Sequence, residues 1–168
     1  INPSALLDPT QVFQAFRGGL LDMSFLGCGQ MDQFGNVNVS SFNGIVPGCG
    51  GFIDIAYQTK KLVFCGTFSS GGAAIDVADG GLTIHQEGKF FKLVPNVEQI
   101  TLNGPDALRK GQSILLITER AVFQVMEDGL HLTEIANGVD LQRDILAHIP
   151  FPVTVNETCK PMDPALFT

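Results

Sequence analysis

The chain is 168 residues long, 45% apolar and 16% charged, with 19 glycines and 17 acidic against 10 basic side chains for a net charge of −7. That length fits one hydrophobic core, and the composition excludes disordered, coiled-coil and collagen-like chains. The acidic balance, with no basic run longer than Lys60-Lys61, excludes a protein that tracks a nucleic-acid backbone or an acidic membrane surface.

Residues 1–19 are mixed in character and end in Gly18-Gly19. Leu20 to Gly27 is a mostly apolar run and predicts a buried strand near the middle of a sheet. Asp32 to Asn36 reads as a turn, and Val37 to Ser40 alternates like a short strand. After Pro47 the cluster Gly48-Cys49-Gly50-Gly51 leads into one or two helical turns over Phe52 to Tyr57. Lys61 to Cys65 predicts a second buried strand, which ends in a flexible loop from Gly66 to Gly72.

The second half changes character. Short strands are expected at 82–84, 89–94, 99–102, 114–118, 121–126 and 130–135, with Asp128-Gly129 as the tight turn of an antiparallel meander. Asp140 is a helix cap before Leu141, Ile145 and Ile149, and Pro150 stops that helix. The tail from Phe151 to Thr168 is expected to run irregularly over the surface. Without a repeat, a linker or a low-complexity tract, residues 1–168 are expected to form one α/β domain.

No apolar run approaches the ~20 residues that span a bilayer. Nothing at the start reads as a secretory signal, so a cytoplasmic location is expected. The opening Ile1, in place of Met, is expected of a fragment or a processed chain. A charge content below the roughly 25% of an average domain suggests that part of the exterior is covered, by a second copy or a partner chain.

Cys28, Cys49, Cys65 and Cys159 include no C-x-x-C pair and read as buried free thiols. His85, His131 and His148 are scattered, none four residues from another ligand type, so no metal site is expected.

Gly48-Cys49-Gly50-Gly51 is the stretch richest in chemistry. Three glycines in four positions let backbone N–H groups point outward with no Cβ in the way, forming a concave nest of donors. Such a nest at a helix start suits a phosphate or the oxyanion of an acyl-transfer intermediate. A tight turn with a purely structural role fits the same pattern. Asp54, just beyond, fits a buttress of that loop better than a substrate contact. Gly66 and Thr67 follow a strand's C-terminal end, where open α/β sheets place ligands.

The wider context favours the chemical reading. Phe25 to Ser40 (FLGCGQMDQFGNVNVS) resembles a signature of the family I coenzyme A transferases, of the single-chain acetate, propionate and 3-oxoacid type. The likeness continues through Pro47 to Ile55, Val63 to Phe68, Gln86 to Lys89, Val97 to Thr101, Thr118 to Phe123 and Gly138 to Leu141, in the family's order. The resemblance implies an open α/β/α sandwich, CoA-transferase or sugar-phosphate isomerase-like, with a largely parallel sheet and an antiparallel insertion. It implies that the chain is most of the C-terminal half of such an enzyme.

The implied reaction moves CoA between an acyl-CoA and a short-chain carboxylate such as acetate, propionate or a 3-oxoacid. A glutamate attacks the thioester, and a glutamyl–CoA thioester follows. CoA is a substrate, with no metal or prosthetic group. Gly48, Cys49, Gly50 and Gly51 would supply oxyanion donors, and Gly66 and Thr67 would line the CoA or acyl pocket.

The family's nucleophile lies in an E-x-G motif that this chain lacks. Glu87-Gly88 is the nearest string but matches a separate, non-catalytic block. Glu98, Glu119, Glu127, Glu134 and Glu157 lack the glycine setting, and Glu119 reads as a hairpin carboxylate paired with a neighbouring base. The nucleophile is therefore expected upstream of Ile1 or on a partner subunit, in a homo- or hetero-oligomer. The alternative is a non-catalytic half-domain that binds a ligand or another protein.

Overall fold

A computed structural model describes residues 2–168. The first elements are α1 (Pro9–Arg17), β1 (Met23–Gly27), β2 (Gln30–Met31), β3 (Val37–Asn38), α2 (Phe52–Ala56) and β4 (Lys61–Cys65). An insertion follows, with β5 (Ser69–Ser70), β6 (Ala74–Ala78), β7 (Gly81–Gln86) and β8 (Phe90–Phe91). Helix α3 (Gly104–Arg109) leads to β9 (Ser113–Ile117), β10 (Ala121–Met126), β11 (Gly129–Ile135) and β12 (Thr154–Pro161).

Six strands form the main sheet in the order β1-β4-β9-β10-β11-β12. Strands β1, β4 and β9 run parallel, β10 is antiparallel to both its neighbours, and β12 is parallel to β11. Parallel neighbours cannot be joined by a tight turn, so the chain must cross over between them. Helix α2 lies on the crossover from β1 to β4, and α3 on the longer one from β4 to β9. The sheet is thus the largely parallel one with an antiparallel section that the sequence implied.

Side chains alternate between the two faces of a strand. Along β9, Ile114 and Leu116 enter one core with Leu62, Phe64, Phe123 and Leu132, roofed by Phe52, Ala56 and Ala107 from the helices. Leu115 and Ile117 point the other way, toward Leu82, Val122, Ala136, Met162 and Phe167. That second face is covered by the β6–β7 hairpin and the C-terminal residues. Burying each large apolar side chain stabilises the fold by roughly 1.5–3 kcal/mol.

Several expectations are corrected. The apolar run before Gly27 is a strand only from Met23, and it lies at the sheet edge, with Phe25 68% exposed. The tail is not irregular, because β12 pairs with β11. Residues 1–19 include a helix, α1, capped by Asp8 with Gln11 returning the bond. Residues 99–102 form no strand, although Leu102 bridges to Val37. Strand β8 is confined to Phe90 and Phe91 because the chain leaves the ladder on either side. The helix after Asp140 is a π-turn over Leu141–Ile145 followed by a 3₁₀ turn over Leu146–His148, with Asp140 capping as expected. All four cysteines are free, but Cys65 is exposed and only Cys28 is fully buried. No helix among the described residues is long and apolar enough to cross a membrane.

Candidate active site

The site begins where the parallel strands end. Gly27 pairs in register with Cys65, and Cys65 with Ile117, so Cys28, Gly66 and Thr118 leave the sheet along one edge. Open α/β sheets hold their ligands beyond this edge. The Gly66 N–H donates to the Ile117 carbonyl at 3.1 Å, which turns the following loop across the strand ends.

That loop is anchored, in contrast to the flexible segment expected from its glycines and serines. Phe68 and Ser69 are buried, and the Phe68 N–H donates to a Glu119 carboxylate oxygen at 2.7 Å. Behind them lies Arg120, which is fully buried. Its Nε donates to Glu119 at 2.8 Å, its two terminal nitrogens donate to both oxygens of Glu87, and Nη1 also reaches the Asp144 carbonyl at 3.0 Å. The guanidinium lies 4.6 Å over the Phe68 ring. Glu87 accepts a further bond from the Ser69 hydroxyl at 2.8 Å. Burial alone would raise the Glu87 carboxyl, but the bonds from Arg120 and Ser69 outweigh it and hold the group below its ordinary value. Burial likewise works against the Arg120 charge, yet Glu87 and Glu119 hold it above its usual range.

Beside this network opens a cleft of about 640 Å³. Phe91, Lys92 and His148 line it, opposite Gly29, Phe42 and Glu98. The His148 ring stacks on Phe91, with centroids 4.9 Å apart and planes 14° apart. Lys92 Nζ donates to the Cys28 carbonyl at 3.0 Å. A Cβ at Gly66 would stand 2.9 Å from Lys92 Cε, so Gly66 packs behind a side chain of the cleft wall without itself lining the cleft. Thr67 beside it is exposed.

The glycine cluster forms a separate, exposed turn. Gly48 and Gly50 adopt positive φ of 84° and 54°, which a side chain would resist. The Gly48 N–H donates to Ser40 at 3.4 Å, while the amides of Cys49, Gly50 and Gly51 donate to no backbone acceptor. Gly51 is the N-cap of α2, and a Cβ there would meet the Phe13 ring of α1 at 2.8 Å. Asp54 pairs with Arg17, which ties α1 to α2. The cleft lining does not include residues 48–51. The fold therefore sets Gly66 behind the Lys92 side chain of the cleft wall and keeps the glycine turn apart from the cleft.

The resemblance blocks contained Glu87 and Arg120 but gave no sign of their partnership; Lys92 was not singled out, and His148 was weighed only as a metal ligand. One signal was present. An arginine just ahead of the apolar strand Ala121–Met126 cannot avoid burial, so it needs carboxylates beside it. Among the described residues no cluster of three His, Cys, Asp or Glu could hold a metal ion.

The acetate CoA-transferase YdiF of Escherichia coli O157:H7 is 47% identical over 167 residues, which is 99% of this chain and 32% of that enzyme. A crystal structure of its apoenzyme superposes on the whole chain with a TM-score of 0.97, over 33% of its own length. The chain is a relative of the CoA-transferases along nearly its whole length. The caffeate CoA-transferase of Acetobacterium woodii is 40% identical over 174 residues, covering 99% of this chain and 33% of that enzyme. The decarboxylase AibA/AibB, at 19% identity and a TM-score of 0.70, shares the fold. No family model matches the chain. The chain spans about a third of the length of the curated relatives first named.

Proposed function

We propose that this chain supplies the oxyanion turn and part of the CoA pocket of an enzyme that moves CoA between an acyl-CoA and a short-chain carboxylate. The observation that carries the reading is the set of amides at Cys49, Gly50 and Gly51 that donate to no backbone acceptor, on a turn whose glycines hold them outward. A tetrahedral acyl-transfer intermediate needs donors of this kind. Support comes also from YdiF, whose structures include a thioester complex with CoA. Acetate, propionate and 3-oxoacids are the acceptors proposed, and the cytoplasm the location.

The nucleophile is a glutamate outside these 168 residues, on a longer form of the chain or on a partner subunit. Attack by its carboxylate on the thioester expels CoA as a thiolate and leaves an acyl–glutamyl anhydride. The thiolate then attacks the glutamyl carbonyl, releases the acyl group as a carboxylate and leaves the glutamyl–CoA thioester. The new carboxylate substrate reverses these steps. In each addition the turn amides would hold the negative oxygen.

The test is exchange of CoA between acetyl-CoA and propionate. The 168-residue chain alone is expected to give no propionyl-CoA. The same chain with a glutamate-bearing segment or subunit restored is expected to turn over and to form a glutamyl–CoA adduct visible by intact mass. Turnover by the isolated chain would refute this placement of the nucleophile. An inactive reconstituted enzyme would favour a binding module.

A further inference from the structure

Three Asn-Gly pairs stand in the chain, Asn43-Gly44, Asn103-Gly104 and Asn137-Gly138. Asparagine is chemically labile, and most of all before glycine, whose backbone nitrogen can attack the side-chain carbonyl with no Cβ in the way. The attack needs a free glycine N–H, a carboxamide free to turn and open space for the ring that forms.

The fold withholds these from two of the pairs. Asn103 caps α3, its side chain accepting from the Asp106 N–H at 2.8 Å, while the buried Gly104 N–H donates to Asn36 Oδ1 at 3.0 Å. Asn137 donates its side-chain N–H to the Gly80 carbonyl at 3.1 Å, and its own carbonyl accepts from the Leu82 N–H at 2.8 Å. Gly138 packs so closely on β7 that a Cβ there would collide with the Leu82 carbonyl.

Asn43-Gly44 differs on every count. The two residues form the tip of a tight hairpin, in which Phe42 and Ile45 exchange N–H···O bonds of 2.9 Å. Their φ angles of 52° and 78° are those a two-residue type I′ loop requires. Glu98 accepts the Asn43 N–H at 2.6 Å, but the Asn43 carboxamide and the Gly44 N–H have no protein partner among the described residues. Both residues are exposed, and nothing lies within 4 Å of where a Cβ on Gly44 would stand.

We propose that Asn43 is a site of spontaneous deamidation, selected by the fold from three identical pairs. The Gly44 nitrogen gives its proton to solvent hydroxide and bonds to the Asn43 side-chain carbonyl carbon. The C–N bond of the carboxamide breaks and ammonia leaves. Water then opens the cyclic imide at either carbonyl, giving aspartate or isoaspartate. The product places a second carboxylate beside Glu98 on the rim of the cleft that Asn43 lines. Isoaspartate also adds a backbone carbon to a loop whose length sets the pairing of Phe42 with Ile45. One wall of the cleft is thus recharged and loosened as the protein ages, whichever reaction the whole enzyme performs.

The test is incubation of the purified chain at mildly alkaline pH, native and in urea, followed by peptide mapping by mass spectrometry. In the native chain the amide-to-acid mass gain is expected in the peptide that holds Asn43 and not in those that hold Asn103 or Asn137. In urea all three are expected to convert, because unfolding frees every pair. Gly44→Ala and Asn43→Gln are each expected to lose the native conversion. The first strains a positive φ, and the second keeps the glycine in case that strain disrupts the turn. Conversion of Asn103 or Asn137 as fast as Asn43 in the native chain would overturn the proposal. So would a native chain that stays unmodified while the urea-treated chain converts. A preference for Asn43 that persists in urea would assign the selection to neighbouring sequence and overturn the role of the fold.

Discussion

Arg120 shows how much one side chain can organise. Its charge is removed from water, so it is tolerable only while Glu87 and Glu119 stay ionised beside it. Arg120→Met would leave two partly buried carboxylates facing an apolar side chain. The expected loss is about 3–5 kcal/mol in urea unfolding, the range for breaking a buried pair from one side. The pair also sets a pH dependence. Glu87 titrates lower in the folded chain than in the unfolded one, so its contribution is present above the ordinary carboxylate range of about 4 and is lost as pH falls through the folded value. Acid unfolding followed by circular dichroism should show that loss in the native chain and a flatter profile in Arg120→Met. That residues 48–51 form a turn was legible in the sequence, because clustered glycines suit the positive φ that Gly48 and Gly50 adopt. The Glu119–Arg120 half of the buried network was legible too, as a hairpin carboxylate beside a base, but Glu87 was not, since it lies 33 positions from Arg120 and only the fold brings them into contact.

At the level of elements, regular patterns were read correctly and borderline ones were missed. The alternation through β9, β10 and β11, with the turn at Asp128-Gly129, is an antiparallel meander as expected. Strand β12 escaped because Thr154–Pro161 is largely polar and ends in proline, as an outermost strand can. Helix α1 was missed although its start signal, Asp8 with Pro9 and Gln11, is complete, because no buried stripe accompanies it. None of its residues is fully buried. That absence makes a sharp expectation. Asp8→Ala removes the bond to the Thr10 N–H, worth ~1 kcal/mol at a typical cap. Hydrogen exchange should then quicken across Pro9–Arg17 while the melting temperature of the core stays where it was. A fall in the global melting temperature of several degrees would mean that α1 is part of the cooperative core.

Across the whole molecule the most telling feature is the reversed polarity of β1. Ser24 points inward and is buried, with its hydroxyl the one buried side-chain polar atom lacking a partner among the described residues. Met23 and Phe25 point outward, 44% and 68% exposed. An edge strand with an open hydrogen-bonding side and large apolar groups facing water is a template for another strand or sheet. Relatives three times as long have ample chain to cover it, whereas the 168 residues alone leave it bare. The isolated chain is therefore expected to self-associate through this edge, with its weight-average mass by light scattering rising as protein concentration is raised. Phe25→Lys puts a charge where the second strand would dock and removes an aromatic contact of roughly 1.5–3 kcal/mol. It should return the chain to a monomer without lowering its melting temperature, because the Phe25 side chain contributes little to the core. A native chain that stays monomeric at high concentration would show that β1 is not the covered face that the low surface charge suggests. Association that survives Phe25→Lys would place that face elsewhere on the molecule.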